Sequence, residues 1–128
     1  MFKCLQSKEI VGRLSKRDEA YLSVATYLAT TSPCRMKHGA VIAKSGRVLS
    51  TGVNKDRNHP TIVSSEHIKT HCSVHAEVDA IKRAGNTRGA TIYIARVNKR
   101  GQARMSRPCD SCYREIIRSG IKKIVYTQ

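Results

Sequence analysis

The chain has 128 residues, 24 of them Lys or Arg against nine Asp or Glu, for a formal charge of +15. That length holds one domain with a genuine core and excludes two, so residues 1–128 are expected to fold as a single unit. No stretch reaches the roughly 20 apolar residues that span a bilayer, and Met1-Phe2-Lys3-Cys4-Leu5-Gln6 lacks the apolar run of a signal peptide, which points to a cytoplasmic protein with no membrane partner.

Residues 1–14 carry no clear hydrophobic period and read as an arm or a short helix. Ser15-Lys16-Arg17-Asp18 is a capping pattern, and Ala20, Tyr21, Val24, Ala25 and Leu28 recur at helical spacing, predicting a helix over 16–31 that Pro33 closes. Gly39–Ala43 and Arg47–Val53 are short β-rich runs around Lys44-Ser45-Gly46, hence a hairpin. A polar connection follows over 54–72, and a loop of that length in a compact domain is usually functional. Ser73 is the candidate N-cap of a helix over 74–84, with Ala76, Ala80, Ile81 and Ala84 as its stripe and Gly85 as its stop. Ala90–Val97 reads as a buried strand and 98–107 as a loop. Pro108 opens a helix with Tyr113, Ile116 and Ile117 on its buried side and Gly120 at its end, and Ile124–Thr127 is a last strand. This order predicts an α/β layer architecture whose last two strands, joined by a helical crossover, run parallel.

Chemistry concentrates in two segments. His75-Ala76-Glu77 and, about thirty residues on, Pro108-Cys109-Asp110-Ser111-Cys112 match the H-x-E…P-C-x-x-C pattern of zinc-dependent base deaminases. His75, Cys109 and Cys112 supply three ligands, and three protein ligands leave the fourth tetrahedral position of zinc open to water, the catalytic rather than the structural arrangement. Glu77 is left unligated, as a proton shuttle must be. A lone C-x-x-C is also compatible with a redox pair or half a structural zinc site, so the weight rests on the conjunction. Five cysteines without an export signal read as thiols and metal ligands rather than a disulfide framework.

The chain resembles the cytidine and deoxycytidylate deaminase superfamily in Gly39-Ala40-Val41-Ile42, Gly52-Val53-Asn54, Val74 to Ile81, Pro108 to Cys112 and Gly120 to Tyr126, a likeness covering residues 16–128. The resemblance implies a three-layer fold with a central mixed sheet of about four strands flanked by helices. It implies zinc on His75, Cys109 and Cys112, Glu77 as acid and base, Asn54 at the sugar end of the substrate and Ala76 as a further contact. The ending Ile121–Tyr126 and the His75 helix are most similar to the deoxycytidylate branch, implying conversion of dCMP to dUMP. Val53-Asn54-Lys55 departs from the aromatic-Asn-Gly text usual there, and Gln128 stops short of the customary fifth strand. The edge so exposed suggests a homo-oligomer.

Other residues are candidates of a second rank. Lys99, Arg100, Arg104 and Arg107 lie before Cys109 with no acid among them and suit a phosphate; Lys55 and Arg57 beside Asn54 form another such group. Cys34, His67, His71 and Cys72, with His38 nearby, are candidates for the extra structural zinc that some deoxycytidylate-type enzymes carry. The charge also admits a base within single-stranded nucleic acid as substrate, or a zinc-stabilised nucleic-acid-binding module without turnover.

Overall fold

The computed structural model describes residues 8–10, 14–55 and 73–128. In chain order its elements are β1 (Lys8–Ile10), α1 (Lys16–Thr30), β2 (Lys37–Lys44), β3 (Arg47–Val53), α2 (Ala76–Ala84), β4 (Thr91–Val97), β5 (Ala103–Arg104), α3 (Asp110–Arg118) and β6 (Lys123–Tyr126). The strands form a mixed sheet in the order β1-β6-β4-β2-β3, with β5 paired to the end of β4. β4 and β6 run parallel, as the helical crossover predicts, whereas β2 is antiparallel to both β3 and β4.

Strand alternation divides the core in two. Ala40, Ile42, Ile92, Ile94 and Ile124 face α2 and α3, where they meet Ala76, Ala80, Tyr113 and Ile116; Val41, Ala43, Tyr93, Ala95 and Val125 face α1. The sheet is thus the middle of three layers, and β4, buried on both sides, reads as the near-continuous apolar run that such a strand requires. The β2–β3 turn places Ser45 at φ 52° and Gly46 at φ 80°, the two left-handed residues of a hairpin turn whose twist matches its strands.

Four expectations are corrected. The arm at 1–14 contributes β1, which pairs in parallel with β6 and occupies the sheet position expected to be bare. The loop at 98–107 folds back as a hairpin: the Asn98 side-chain oxygen accepts from Arg100 N and Gln102 N, each at 2.9 Å, and β5 then pairs with Arg96 and Val97. With these two the sheet has six strands rather than four. The helix predicted over 74–84 starts at Ala76 with His75, not Ser73, as its N-cap.

The stripe of α1 is also rotated from expectation. Ala20 and Val24 are exposed, while Asp18, Ala25 and Ala29 are buried, because Asp18 is drawn inward by Tyr93 and Lys123. Among the described residues no helix is long and apolar enough to cross a membrane.

Candidate active site

Two helices begin at one point. His75 is the N-cap of α2 and Cys109 the N-cap of α3, both in extended backbone, and neither makes the side-chain capping hydrogen bond. Ser15 on α1 shows the alternative, its hydroxyl accepting from Asp18 N at 3.0 Å. At α2 and α3 the residue that would cap the helix points its donor atom elsewhere, leaving first-turn N–H groups and positive dipole ends directed at the shared space.

That space is bounded by His75 Nδ1, Cys109 Sγ and Cys112 Sγ, all within 4.8 Å of one another. His75 Nδ1 lies 3.2 Å from Cys112 Sγ and 3.9 Å from Cys109 Sγ. A tetrahedral zinc with bonds of about 2.3 Å to sulfur and about 2.0 Å to nitrogen separates its ligand atoms by roughly 3.5–3.8 Å. The observed distances straddle that range, and one imidazole with two thiols is a donor set zinc favours, so the residues fit the ion. Among the described residues the group has three members.

Burial and exposure are graded across the site. Cys112 is 1% exposed, while His75 and Cys109 are open to solvent. Burial pushes the Cys112 thiol up, and the nearby Glu77 carboxylate pushes it further. Glu77 is 5% exposed, and burial raises its carboxyl above the ordinary range against the opposing pull of its own backbone N–H and of His75.

The α2 N-terminus is held at this height by a glycine. A β-carbon on Gly52 of β3 would collide with the Ala76 carbonyl oxygen and stand 2.6 Å from Ala80 N, so the helix backbone rests directly on the strand. Ala76 is fully buried there. Asn54, just beyond β3, is 7% exposed and largely engaged: its Oδ1 accepts from Ser32 Oγ at 2.6 Å and His38 N at 2.8 Å, and its Nδ2 donates to Met36 O at 2.7 Å. Among the described residues one amide hydrogen is left over.

The basic candidates separate. Lys99 and Arg100 lie at the tip of the β4–β5 hairpin, Arg104 is on β5, and Arg107 stacks its guanidinium 5.9 Å from the Tyr113 ring centre. Lys55 is turned to Asp79 at 3.3 Å. Of the second metal set, Cys34 is buried and disulfide-bonded, which departs from the free-thiol expectation; His67, His71 and Cys72 lie outside the described residues, as do Cys4 and Arg57. Sequence reading passed over Ser32, which clasps Asn54, and Arg96, whose Nε is buried without a hydrogen-bond partner among the described residues. The signal for Arg96 was present: a charged residue inside the apolar run of a buried strand.

Comparison with known proteins gives one reading. Residues 15–128 match the family model described as the cytidine and deoxycytidylate deaminase zinc-binding region. The chain is 32% identical to a deoxycytidylate deaminase of Mycobacterium phage D29, over 85% of this chain and 92% of that one. It is 29% identical to the deoxycytidylate deaminase of Saccharomyces cerevisiae over 87% of its own length, but spans only 37% of that relative. Among solved structures it is similar to dCMP deaminase from the cyanophage S-TIM5 in complex with dCMP and dUMP, with a TM-score of 0.65 and 25% identity over 90% of this chain and 83% of that one.

Proposed function

The chain belongs to the cytidine and deoxycytidylate deaminase family, and from that premise we propose that it is a single-domain, zinc-dependent enzyme converting dCMP and water to dUMP and ammonia. The observation that carries this reading is a buried carboxyl, Glu77, beside a three-donor group that faces solvent on its His75 and Cys109 side. Relatives named for dCMP deamination, one of them seen with dCMP and dUMP, support the substrate.

His75, Cys109 and Cys112 would hold zinc, which when bound supplies a Lewis acid that brings the pKa of water toward neutrality. Glu77 does the proton work. Its carboxylate oxygen takes the proton of the attacking water, passes it to the ring nitrogen beside C4, and carries another to the departing amine. C4 gains the oxygen and ammonia leaves, so atoms balance. A carboxyl raised by burial suits this work, because its proton affinity lies nearer the operating pH than that of an exposed Glu. The uncapped first turns of α2 and α3 favour the negative charge that develops there and the thiolate state of the cysteines. Asn54 keeps one amide hydrogen for a sugar hydroxyl.

The polynucleotide alternative has less support. Single-strand binders stack bases on aromatic rings, and among the described tyrosines Tyr93, Tyr113 and Tyr126 are buried while the exposed Tyr27 sits on α1, on the other face of the sheet.

The test is Glu77→Gln. We expect ammonia release from dCMP to fall by about 10²–10⁴-fold while zinc stays at one ion per chain by elemental analysis. Undiminished turnover in that variant would remove Glu77 from the mechanism, and a wild-type protein inert toward dCMP would remove the substrate.

A further inference from the structure

Just past β3, a side chain stands in for the backbone of the sheet. Asn54 N donates to His38 O at 3.2 Å as an antiparallel partner would, but the return bond, from His38 N at 2.8 Å, goes to Asn54 Oδ1 instead of the main-chain oxygen. The next residue, Lys55, exchanges main-chain bonds of 3.0 and 2.9 Å with Val74. Asn54 therefore sits where β3 meets the segment that ends at His75.

The neighbours of this amide dictate which way it points. His38 N can only donate and Met36 O can only accept, so the atom facing the first is Oδ1 and the atom facing the second, at 2.7 Å, is Nδ2. Ser32 Oγ, 2.6 Å from Oδ1, is then the donor of that bond; its other acceptor in reach, Asn54 O, lies at 3.1 Å. The Ser32 hydroxyl in turn accepts from Cys34 N at 3.1 Å.

Ser32 is itself held on every side. Just beyond the last turn of α1 and 2% exposed, it donates its N–H to Ala29 O at 3.1 Å, and its carbonyl accepts from Lys37 Nζ at 2.6 Å. Oδ1 already has a donor in His38 N, so the Ser32 bond is not needed to satisfy it. What the second donor adds is rigidity and polarisation. Two bonds on Oδ1 oppose rotation of the amide, and an amide whose oxygen is doubly engaged becomes a stronger N–H donor through the cooperativity of linked hydrogen bonds.

We propose that Ser32 is a positioning residue for substrate binding: through Oγ it aims the Asn54 amide so that the hydrogen not given to Met36 meets the sugar hydroxyl. The inference rests on the deamination reading above, in which Asn54 serves the sugar end. In dCMP that hydroxyl is the 3′ one, because C2′ carries none and C5′ carries the phosphate. Ser32 acts through Asn54 and does not touch the nucleotide.

The experiment compares dCMP with its 3′-deoxy analogue in the zinc-loaded wild type, Ser32→Ala, Ser32→Thr, Asn54→Ala and the Ser32→Ala/Asn54→Ala pair, at a temperature where melting and zinc content show every variant folded. Ser32→Ala should raise KM for dCMP by about 3- to 10-fold, with kcat and the kinetics of the analogue within about twofold. Ser32→Thr, which keeps the hydroxyl, should recover most of the loss. On the Asn54→Ala background the Ser32 change should cost no more than about twofold further. Where Ser32→Ala does not fold, Ser32→Val set against the same-shaped Ser32→Thr isolates the hydroxyl, and the KM rise for dCMP should appear in the Val variant alone. Equal KM rises on both substrates, or the full loss repeated on the Asn54→Ala background, would make Ser32 a structural residue only, and unchanged dCMP kinetics would overturn the assignment. If the wild type turns over neither substrate, the deamination reading fails separately. Calorimetry then decides Ser32: tighter binding of dCMP than of the analogue that is lost in Ser32→Ala sustains the role, and a preference absent from the wild type or kept by the variant refutes it.

Discussion

Asp18 is 5% exposed although it lies in the first turn of α1, and its carboxylate accepts from Tyr93 Oη at 2.8 Å and Lys123 Nζ at 2.9 Å. Burial alone works to raise its pKa, but the hydrogen bonds from Lys123 and Tyr93 outweigh it and hold the carboxyl below its ordinary value of 3.8. A depressed carboxyl contributes stability above its unfolded pKa and loses it as pH falls through the folded one. Asp18→Asn should therefore melt earlier than the wild type at pH 7, by about 2 kcal/mol, and the gap should narrow progressively as pH falls below the ordinary carboxyl value and through the lower folded one. A gap of constant size throughout the acid limb would mean the loss is one of packing and not of charge. None of this was legible in the sequence, because the partners stand 75 and 105 residues away. His75, Glu77, Cys109 and Cys112 were legible for the opposite reason: ligation restricts the residue type, and a helix start restricts the spacing.

At the level of elements, both glycines on β2 and β3 that touch a helix do so through backbone. A β-carbon on Gly39 would collide with the Ala25 carbonyl oxygen and stand 2.6 Å from Ala29 N of α1, the same crowding that Gly52 has with Ala76 and Ala80 of α2. Gly39→Ala and Gly52→Ala should each destabilise by about 1–3 kcal/mol, since helix backbone cannot yield as a side chain can. Only α2 carries His75 and Glu77, so Gly52→Ala should also lower kcat/KM per folded molecule by up to about 10²-fold, whereas Gly39→Ala should not. Comparable activity losses in the two variants would show that α2 is not positioned by this contact. The helices were readable from their stripes, and their starts to within two residues from Ser73 and Pro108, but the caps themselves, His75 and Cys109, were not, because a ligand at an N-cap carries none of the Ser, Thr or Asp signal that marks an ordinary cap. β5 was missed because two residues are too few to show alternation, although Asn98 and Gly101 mark its turn.

For the whole molecule, pairings between neighbours in sequence could be read and the order β1-β6-β4-β2-β3 could not, since β1 reaches β6 from the other end of the chain. The charge of +15 is a property of the same scale, and among the described residues its carriers are spread rather than focused. Arg17, Lys44, Lys122 and Lys123 line a cavity of about 640 Å³ at the far end of the strands, while Arg96 and Arg104 lie at the site end. A field so distributed draws a dianionic substrate toward the protein over distances comparable to the screening length and does nothing for a neutral one. Raising salt from about 50 to about 500 mM shortens that length from roughly 14 Å to roughly 4 Å. The KM for dCMP should therefore rise several-fold over this range while kcat holds, and the kinetics of deoxycytidine should stay flat. Measured side by side, an equal response of the two substrates would mean that salt acts on the fold or the metal group, and that the basic surface plays no part in bringing the nucleotide in.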